Sequence, residues 1–386
     1  VPKEQLQKDS SGKLTVKELV EIVRSLDTTR PVTVACDHTD TSNLILQAGV
    51  LDIIAYNYRH HLWGTVQQRW GKKPFIATES ASAFETRGYY DMPSDSIRRW
   101  PPDWNKPFTE GNPDHTCSSY DNCCASWGST HEESLIEYMK HDFIAGTFVW
   151  TGFDYLGEPT PYLWPSRSSY FGVIDLAGFP KDAYYLYQSL WTETPVLHLL
   201  PHWNWEQGKT IDVWAYYNQA DEVELFLNEK SLGTRSQSAN QLHVWWRVKY
   251  EPGTLRAVSR KEGKEVLVRE IKTSGAPSSI ILKADRSLLK ADGKDLSFIT
   301  VTIVDAAGVP VPYADNLLQF DVSGEGLIAG VDNGRETSME SFKGDRRKAF
   351  SGKCLLIVQS NGKNGIVKVK AVSAGLTTAE TELKFQ

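Results

Sequence analysis

Near Pro195 the spacing of the apolar residues changes from helical periods mixed with short continuous runs to strict alternation, and one domain type cannot carry both patterns. Before that point Leu14, Val16, Leu19, Val20, Ile22, Val23 and Leu26 form the apolar stripe of a helix that stops at Asp27-Thr-Thr-Arg-Pro31. A short buried strand is expected at 32–35, a helix at 43–47, a second strand at 51–56, a helical stretch at 60–70 and a third strand at 74–78. A loop rich in Pro, Asn, Asp, Ser and Cys covers 88–130, after which a helix at 132–142 and a fourth strand at 146–150 resume the pattern. This is the spacing of repeated βα units, and four of them make half of an eight-unit barrel.

Beyond Pro195 the alternation predicts short strands at 210–217, 222–227, 244–248 and 253–258, which make a small β-sandwich. The linker Thr273-Ser-Gly-Ala-Pro-Ser-Ser279 precedes a second series at 280–284, 297–305, 318–322, 353–359 and 365–371, with turn signals at Asp305-Ala-Ala-Gly308 and Asp332-Asn-Gly334. The expected organisation is an α/β half-barrel at 1–194 and two immunoglobulin-like sandwiches at 195–275 and 276–386. For 386 residues, at roughly 150 per domain, two or three domains are expected.

A half-barrel leaves parallel strands with open edges and an uncovered interior. The missing half is expected upstream on the same polypeptide or on a partner chain. Val1 is not an initiator Met and the first residues read as mid-domain loop, so the N-terminus reads as cut and the chain as part of a larger enzyme.

Charge excludes one class of partner. Lys and Arg number 42 against 48 Asp and Glu, a net charge of −6 with no long run of either sign, which argues against nucleic acid. No apolar stretch approaches the ~18 to 20 residues of a membrane span, so a soluble chain is expected. The 13 Trp, 16 Tyr and 14 Phe divide between two readings, core packing and sugar platforms in polar loops. The cysteines, Cys36, Cys117, Cys123, Cys124 and Cys354, are odd in number without metal spacing; a bridge from Cys117 to Cys123 or Cys124 stays open.

In such barrels the chemistry sits at the C-terminal ends of the strands. The residues there are Asp37-His38, Tyr56-Asn57-Tyr58, Thr78-Glu79-Ser80 and Trp150-Thr-Gly-Phe-Asp154. A carboxylate flanked by tyrosines and a Trp suits a glycosidase, with Glu79 as nucleophile; the competing reading makes Glu79 a loop acid. Other motifs have plain readings: His60-His61 lacks a carboxylate spaced for a metal, Arg98-Arg99 and Arg346-Arg347-Lys348 read as solvated faces, and His202-Trp203-Asn204-Trp205 as packing between sandwich and barrel.

Four ordered blocks carry a resemblance: Asp52-Ile-Ile-Ala-Tyr-Asn-Tyr58, Pro74-Phe-Ile-Ala-Thr-Glu-Ser80, Phe148-Val-Trp-Thr-Gly-Phe-Asp-Tyr-Leu-Gly-Glu-Pro-Thr-Pro-Tyr162 and Phe171-Gly-Val-Ile-Asp-Leu-Ala-Gly-Phe-Pro-Lys-Asp182. They resemble glycoside hydrolase family 2, in its β-galactosidase branch, with the first part as the C-terminal half of the catalytic (β/α)8 TIM barrel and the sandwiches as accessory domains. The resemblance implies that Glu79 is the catalytic nucleophile, Tyr58 its hydrogen-bonding partner and Trp150 the floor of the sugar pocket, with Asn57, Asp154 and Glu158 as candidate substrate contacts. It implies a retaining mechanism in which a second carboxylate lies about 5 to 5.5 Å away.

That second carboxylate marks a departure. The family's acid/base is the Glu of an Asn-Glu pair ahead of the segment that Val1-Pro-Lys resembles, and the Asn-Glu here, Asn228-Glu229, falls in a sandwich turn. The chain alone is therefore expected to show negligible hydrolysis. The Asn-x-Lys motif of β-glucuronidases is absent near Tyr170-Phe171-Gly172, a β-mannosidase stays open, and Ser82 stands where the best-known galactosidases carry His. The implied partners are a β-galactoside oligosaccharide or glycan and the missing N-terminal half, with a homo-oligomer open; no cofactor or metal is implied, and a periplasmic or secreted location is. The alternative of another class is a non-catalytic carbohydrate-binding or scaffold protein.

Overall fold

A computed structural model describes residues 11–386. Its first part carries helix α1 (Ser11–Leu26), helix α2 (Leu44–Gln47), strand β1 (Ile54–Asn57), a 3-10 helix (His60–Thr65), helix α3 (Val66–Trp70) and strand β2 (Phe75–Ala81). Strands β3 (Arg98–Trp100) and β4 (Cys123–Ala125), helix α4 (His131–Met139), strand β5 (Ile144–Trp150) and helix α5 (Asp182–Trp191) follow. Side-chain oxygens set the helix starts: Asn43 accepts from the Ile45 and Leu46 amides, and Thr130 and Glu133 form a reciprocal capping box on α4. Strands β1, β2 and β5 lie parallel in that order, and Val16, Val20, Ile54, Tyr56, Trp63, Phe75 and Ala77 fill the core beside them.

The expected half-barrel is reduced here. Of its four strands only three form a ladder; the segment at 32–35 is no strand, and its place beside β1 is held by a single parallel bridge between Cys36 and Tyr56. The Val32 amide is taken by the Asp52 carboxylate at 2.8 Å instead of a ladder carbonyl, which interrupts the pairing. β-Structure dominates the described residues, and no closed barrel is present among them. The stretch at 60–70 is split between 3-10 and α geometry, and the long loop contains the small parallel pair β3 and β4.

The second part has β6 (Leu197–Leu200), β7 (Thr210–Tyr217), β8 (Glu222–Leu227), β9 (Lys230–Arg235), β10 (Val244–Lys249), β11 (Thr254–Lys261) and β12 (Lys264–Lys272). They form two sheets, β10-β7-β6 and β12-β11-β8-β9, closed around Trp203, Ile211, Val213, Val223, Leu225, Trp246, Leu255 and Ala257. The third part has β13 (Ser279–Ala284), β14 (Leu288–Leu289), β15 (Leu296–Val304), β16 (Leu317–Gly324), β17 (Gly326–Asp332), β18 (Arg346–Lys348), β19 (Lys353–Ser360), β20 (Gly365–Val372) and β21 (Ala379–Phe385). Its sheets, β13-β15-β19-β17 and β14-β21-β20-β16-β18, enclose a separate core. Among the strands missed from sequence, β9 and β12 are edge strands whose residues are mostly exposed and β17 contains two glycines, while β21 alternates apolar and charged residues but lies beyond the series read from sequence.

Both sandwiches grip the loop after β2. Asp212 accepts from the Ser94 amide and hydroxyl at 2.7 and 2.9 Å, and His243 meets Glu132 at 2.6 Å. Arg87 pairs with Asp175 at 2.6 Å and donates to the Asn333 and Phe350 carbonyls of the third part. The packing role expected for the 202–205 aromatics holds: Trp203 is fully buried in the sandwich core and His202 meets Tyr90 of the loop. In the run Arg346-Arg347-Lys348 the outer two residues are exposed as expected, but Arg347 is not. Arg347 is only 1% exposed and pairs with Asp332 at 2.6 Å, because the turns around β17 and β18 fold over it, while Arg98 and Arg99 pair with Asp91 and Glu133.

Candidate active site

The C-terminal ends of β1, β2 and β5 bring together four of the six expected residues. Between its pairings with β1 and with β5, strand β2 carries one residue more than either neighbour around Thr78 and Glu79. A bulge of this kind re-aims a side chain that simple alternation would place on the other face. Glu79 is thereby set beside Asn57, whose Nδ2 donates to Glu79 Oε1 at 2.9 Å, while Thr78 Oγ1 donates to Asn57 Oδ1 at 2.8 Å. Asn57 thus holds the carboxylate. Its amide is engaged on both sides, by Glu79 and by Thr78.

Tyr58 follows directly. Its amide donates to the Glu79 carbonyl at 2.5 Å, and its own carbonyl accepts from Trp63 Nε1 at 2.8 Å. Burial, and next the Glu79 carboxylate beside the phenol, push the Tyr58 pKa up, so the hydroxyl stays protonated and available as a donor. Trp150, partly buried at the end of β5, pairs with Ala81 two residues beyond Glu79 and packs edge-on against Tyr155 at 6.0 Å; its peptide bond to Thr151 is cis.

Four non-glycine residues around this point have positive φ: Tyr58 and Arg59 at 56°, Ala81 at 64° and Ser82 at 69°. Such backbone is costly and is found where a fold over-determines a functional geometry. No residue type at these positions signalled it in the sequence. Gly128 shows how the loop imposes it: a Cβ there would stand 2.1 Å from the Ala81 carbonyl oxygen. Gly128→Ala is expected to destabilise the fold by about 1–3 kcal/mol through this forced shift, read as a lowered melting temperature.

The other two expected residues are elsewhere. Asp154 is buried, pairs with Lys181 at 2.6 Å and accepts from Gly172 N and Ser169 Oγ. Burial, offset mainly by Lys181, brings its pKa up to about 6. It braces the loop after β5 from a buried position. Glu158 is exposed and accepts a hydrogen bond from Tyr155. Sequence reasoning missed Trp127, which packs edge-on against Tyr58 at 6.4 Å and lies tilted against Trp104 at 4.7 Å. The five cysteines are buried and free, so no bridge forms at Cys117.

Residues 280–382 match the model of the glycoside hydrolase family 2 C-terminal domain 5, and residues 208–267 match a domain of unknown function (DUF4982). A Bacteroides ovatus protein named Beta-galactosidase BoGH2A is 55% identical over 378 residues, covering 98% of this chain. The chain belongs to glycoside hydrolase family 2. It spans 44% of that relative's length. A solved structure of a β-glycosidase from Bacteroides vulgatus is similar at 33% identity and TM-score 0.82, over 95% of this chain and 48% of that one. A Formosa agariphila protein named Putative beta-glucuronidase is 34% identical over 87% of this chain and 34% of its own length. Among the described residues no helix of this family 2 chain is long and apolar enough to cross a membrane.

Proposed function

We propose that this chain is the nucleophile-bearing portion of a retaining exo-β-galactosidase. The reading rests on Glu79, set by a bulge at the end of the central parallel strand, held by Asn57 and flanked by Tyr58 and Trp150. Glu79 attacks the anomeric carbon as the glycosidic C–O bond breaks, giving a covalent glycosyl-enzyme. A second carboxyl group protonates the leaving oxygen, then takes a proton from the water that releases the sugar. The Asn228-Glu229 pair does not supply it, since it forms the turn between β8 and β9 of the second part, away from the β1-β2-β5 strand ends. The acid/base belongs to the remainder of the full-length polypeptide, and the chain alone is inactive.

In this proposal residues 1–194 are the C-terminal half of the TIM barrel, and 195–275 and 276–386 are immunoglobulin-like accessory domains. Uncovered apolar surface supports it. On α1 only Val16 and Val20 are buried, Leu14, Leu19, Ile22 and Leu26 are exposed, and Phe148 on β5 is 62% exposed. A second half-barrel would cover these faces.

The relative named as a β-galactosidase favours galactose over glucuronic acid, while the one named as a β-glucuronidase supplies the competing reading. Assaying the full-length protein side by side with chromogenic β-galactoside, β-glucuronide and β-mannoside separates the three sugars. Turnover confined to the galactoside is expected. Binding of galactosides without turnover of any substrate would instead favour the scaffold reading. Fractionation of the source cells is expected to find the protein in the periplasm or medium.

A further inference from the structure

Beneath the loop that leaves β2, three side chains of metal-ligating type converge from separate segments. Glu85, Asp121 and His131 each offer an atom, and these atoms lie within 4.8 Å of one another. All three residues are at least 95% buried. Glu85 Oε1 has no hydrogen-bond partner among the described residues, a costly state for a carboxylate oxygen with no access to water. Asn122 Oδ1, next in sequence to Asp121, is likewise unpartnered, as is the buried hydroxyl of Tyr216.

The local charge is also unbalanced. Lys181 is the cation that reaches this region, but its ammonium group is paired with Asp154 at 2.6 Å and bonded to the Glu85 and Tyr170 carbonyls. Asp182 has His198 at 2.6 Å and the Tyr90 hydroxyl at 2.7 Å. Glu85 and Asp121 have no cation of their own. The surrounding contacts orient the three groups: His131 Nδ1 lies 2.9 Å from the Tyr187 hydroxyl, and the Asp121 oxygens accept the His131 and Glu132 amides at 2.8 and 2.9 Å. Such outer contacts accompany protein metal ligands. A cavity of about 370 Å³, lined by Asp121, Asn122, Thr130, Glu132 and His243, opens beside Asp121.

We propose that Glu85, Asp121 and His131 bind a divalent transition-metal cation, zinc by preference, in a structural site. One imidazole and two carboxylates suit zinc better than magnesium or calcium, which require a largely oxygen set of six or more. The ion ties the segment after β2, the long loop and the start of α4 together.

The test uses the full-length protein and needs no activity. Elemental analysis by mass spectrometry, after purification without chelator, is expected to find about one zinc per chain, and a tight chelator should remove it and lower the melting temperature. Cobalt(II) added to the stripped protein should give visible d–d absorption. Glu85→Gln, close in shape to the native residue, should weaken metal binding by roughly 10- to 100-fold or more while far-UV circular dichroism stays native. Should that variant not fold, cobalt titration of the stripped wild type decides alone. Absence of metal as purified, together with a melting temperature indifferent to added zinc and no cobalt spectrum, overturns the proposal in favour of buried water. Stoichiometric magnesium or calcium in place of zinc overturns the metal class.

Discussion

In the full-length protein, Glu79→Gln is expected to reduce turnover of a chromogenic β-galactoside by on the order of 10⁴-fold or more, since the amide cannot form the glycosyl ester. The substitution keeps the shape of the side chain and its contact with Asn57, so the melting temperature should hardly move. A 2-fluoro galactoside with a good leaving group should label the wild type, and peptide mass analysis should place the added mass on Glu79. Activity persisting in the variant, or a label on another carboxylate, would remove Glu79 from the proposed role. Asn57→Ala should act through the same carboxylate, lowering kcat more than it changes KM.

The second large effect is on stability. Lys181 is fully buried, paired with Asp154, and linked by charge to Glu336 of the third part and to Glu85. Replacing it with Met leaves the Asp154 carboxylate buried without its counter-charge, and at pH 8 this should cost about 3–5 kcal/mol. The pH dependence follows from the carboxyl groups. Burial raises Asp154 to about 6 and Glu336 to about 8, both above their unfolded values. Groups shifted upward stabilise the fold fully below their unfolded pKa, and that contribution is lost as pH rises through the folded pKa. Wild-type stability should therefore decline from about pH 4 to 8, with Asp154 contributing between about pH 4 and 6 and Glu336 up to about pH 8, and Glu336→Gln should flatten the upper part of the decline. The Lys181→Met penalty should shrink towards pH 5, where Asp154 is protonated. Urea unfolding of the three proteins at pH 5 and 8 measures both effects; an equal Lys181→Met penalty at the two pH values would contradict the assignment of the charge to Asp154.

Much of the candidate site was visible in the sequence for a plain reason. Apolar runs mark parallel strands, the residue after each run lies at the strand's C-terminal end, and Asn57, Tyr58, Glu79 and Trp150 all occupy such positions. Their division of labour was not visible. Asn57 became a support of Glu79 only because the bulge in β2 brings the two side chains within hydrogen-bond distance. Asp154 lies in the same block as Trp150, yet it turns inward because Lys181, 27 positions later, returns beneath it. Trp127 reaches Tyr58 from a loop whose composition held no period to read.

Local chemistry written along the chain determined the change from helical to alternating periodicity, the turn signals, the two sandwich series and the strand-end candidates. These depend on neighbours a few residues apart, so a linear reading reaches them. Tertiary structure alone decided the burial of Arg347 in a run that reads as surface charge, and the left-handed backbone at Ala81 and Ser82. It also decided the meeting of Glu85, Asp121 and His131. Each of these results from segments distant in sequence closing on one another, where removal from water and steric contact, set by the whole fold, override the preference of any single residue.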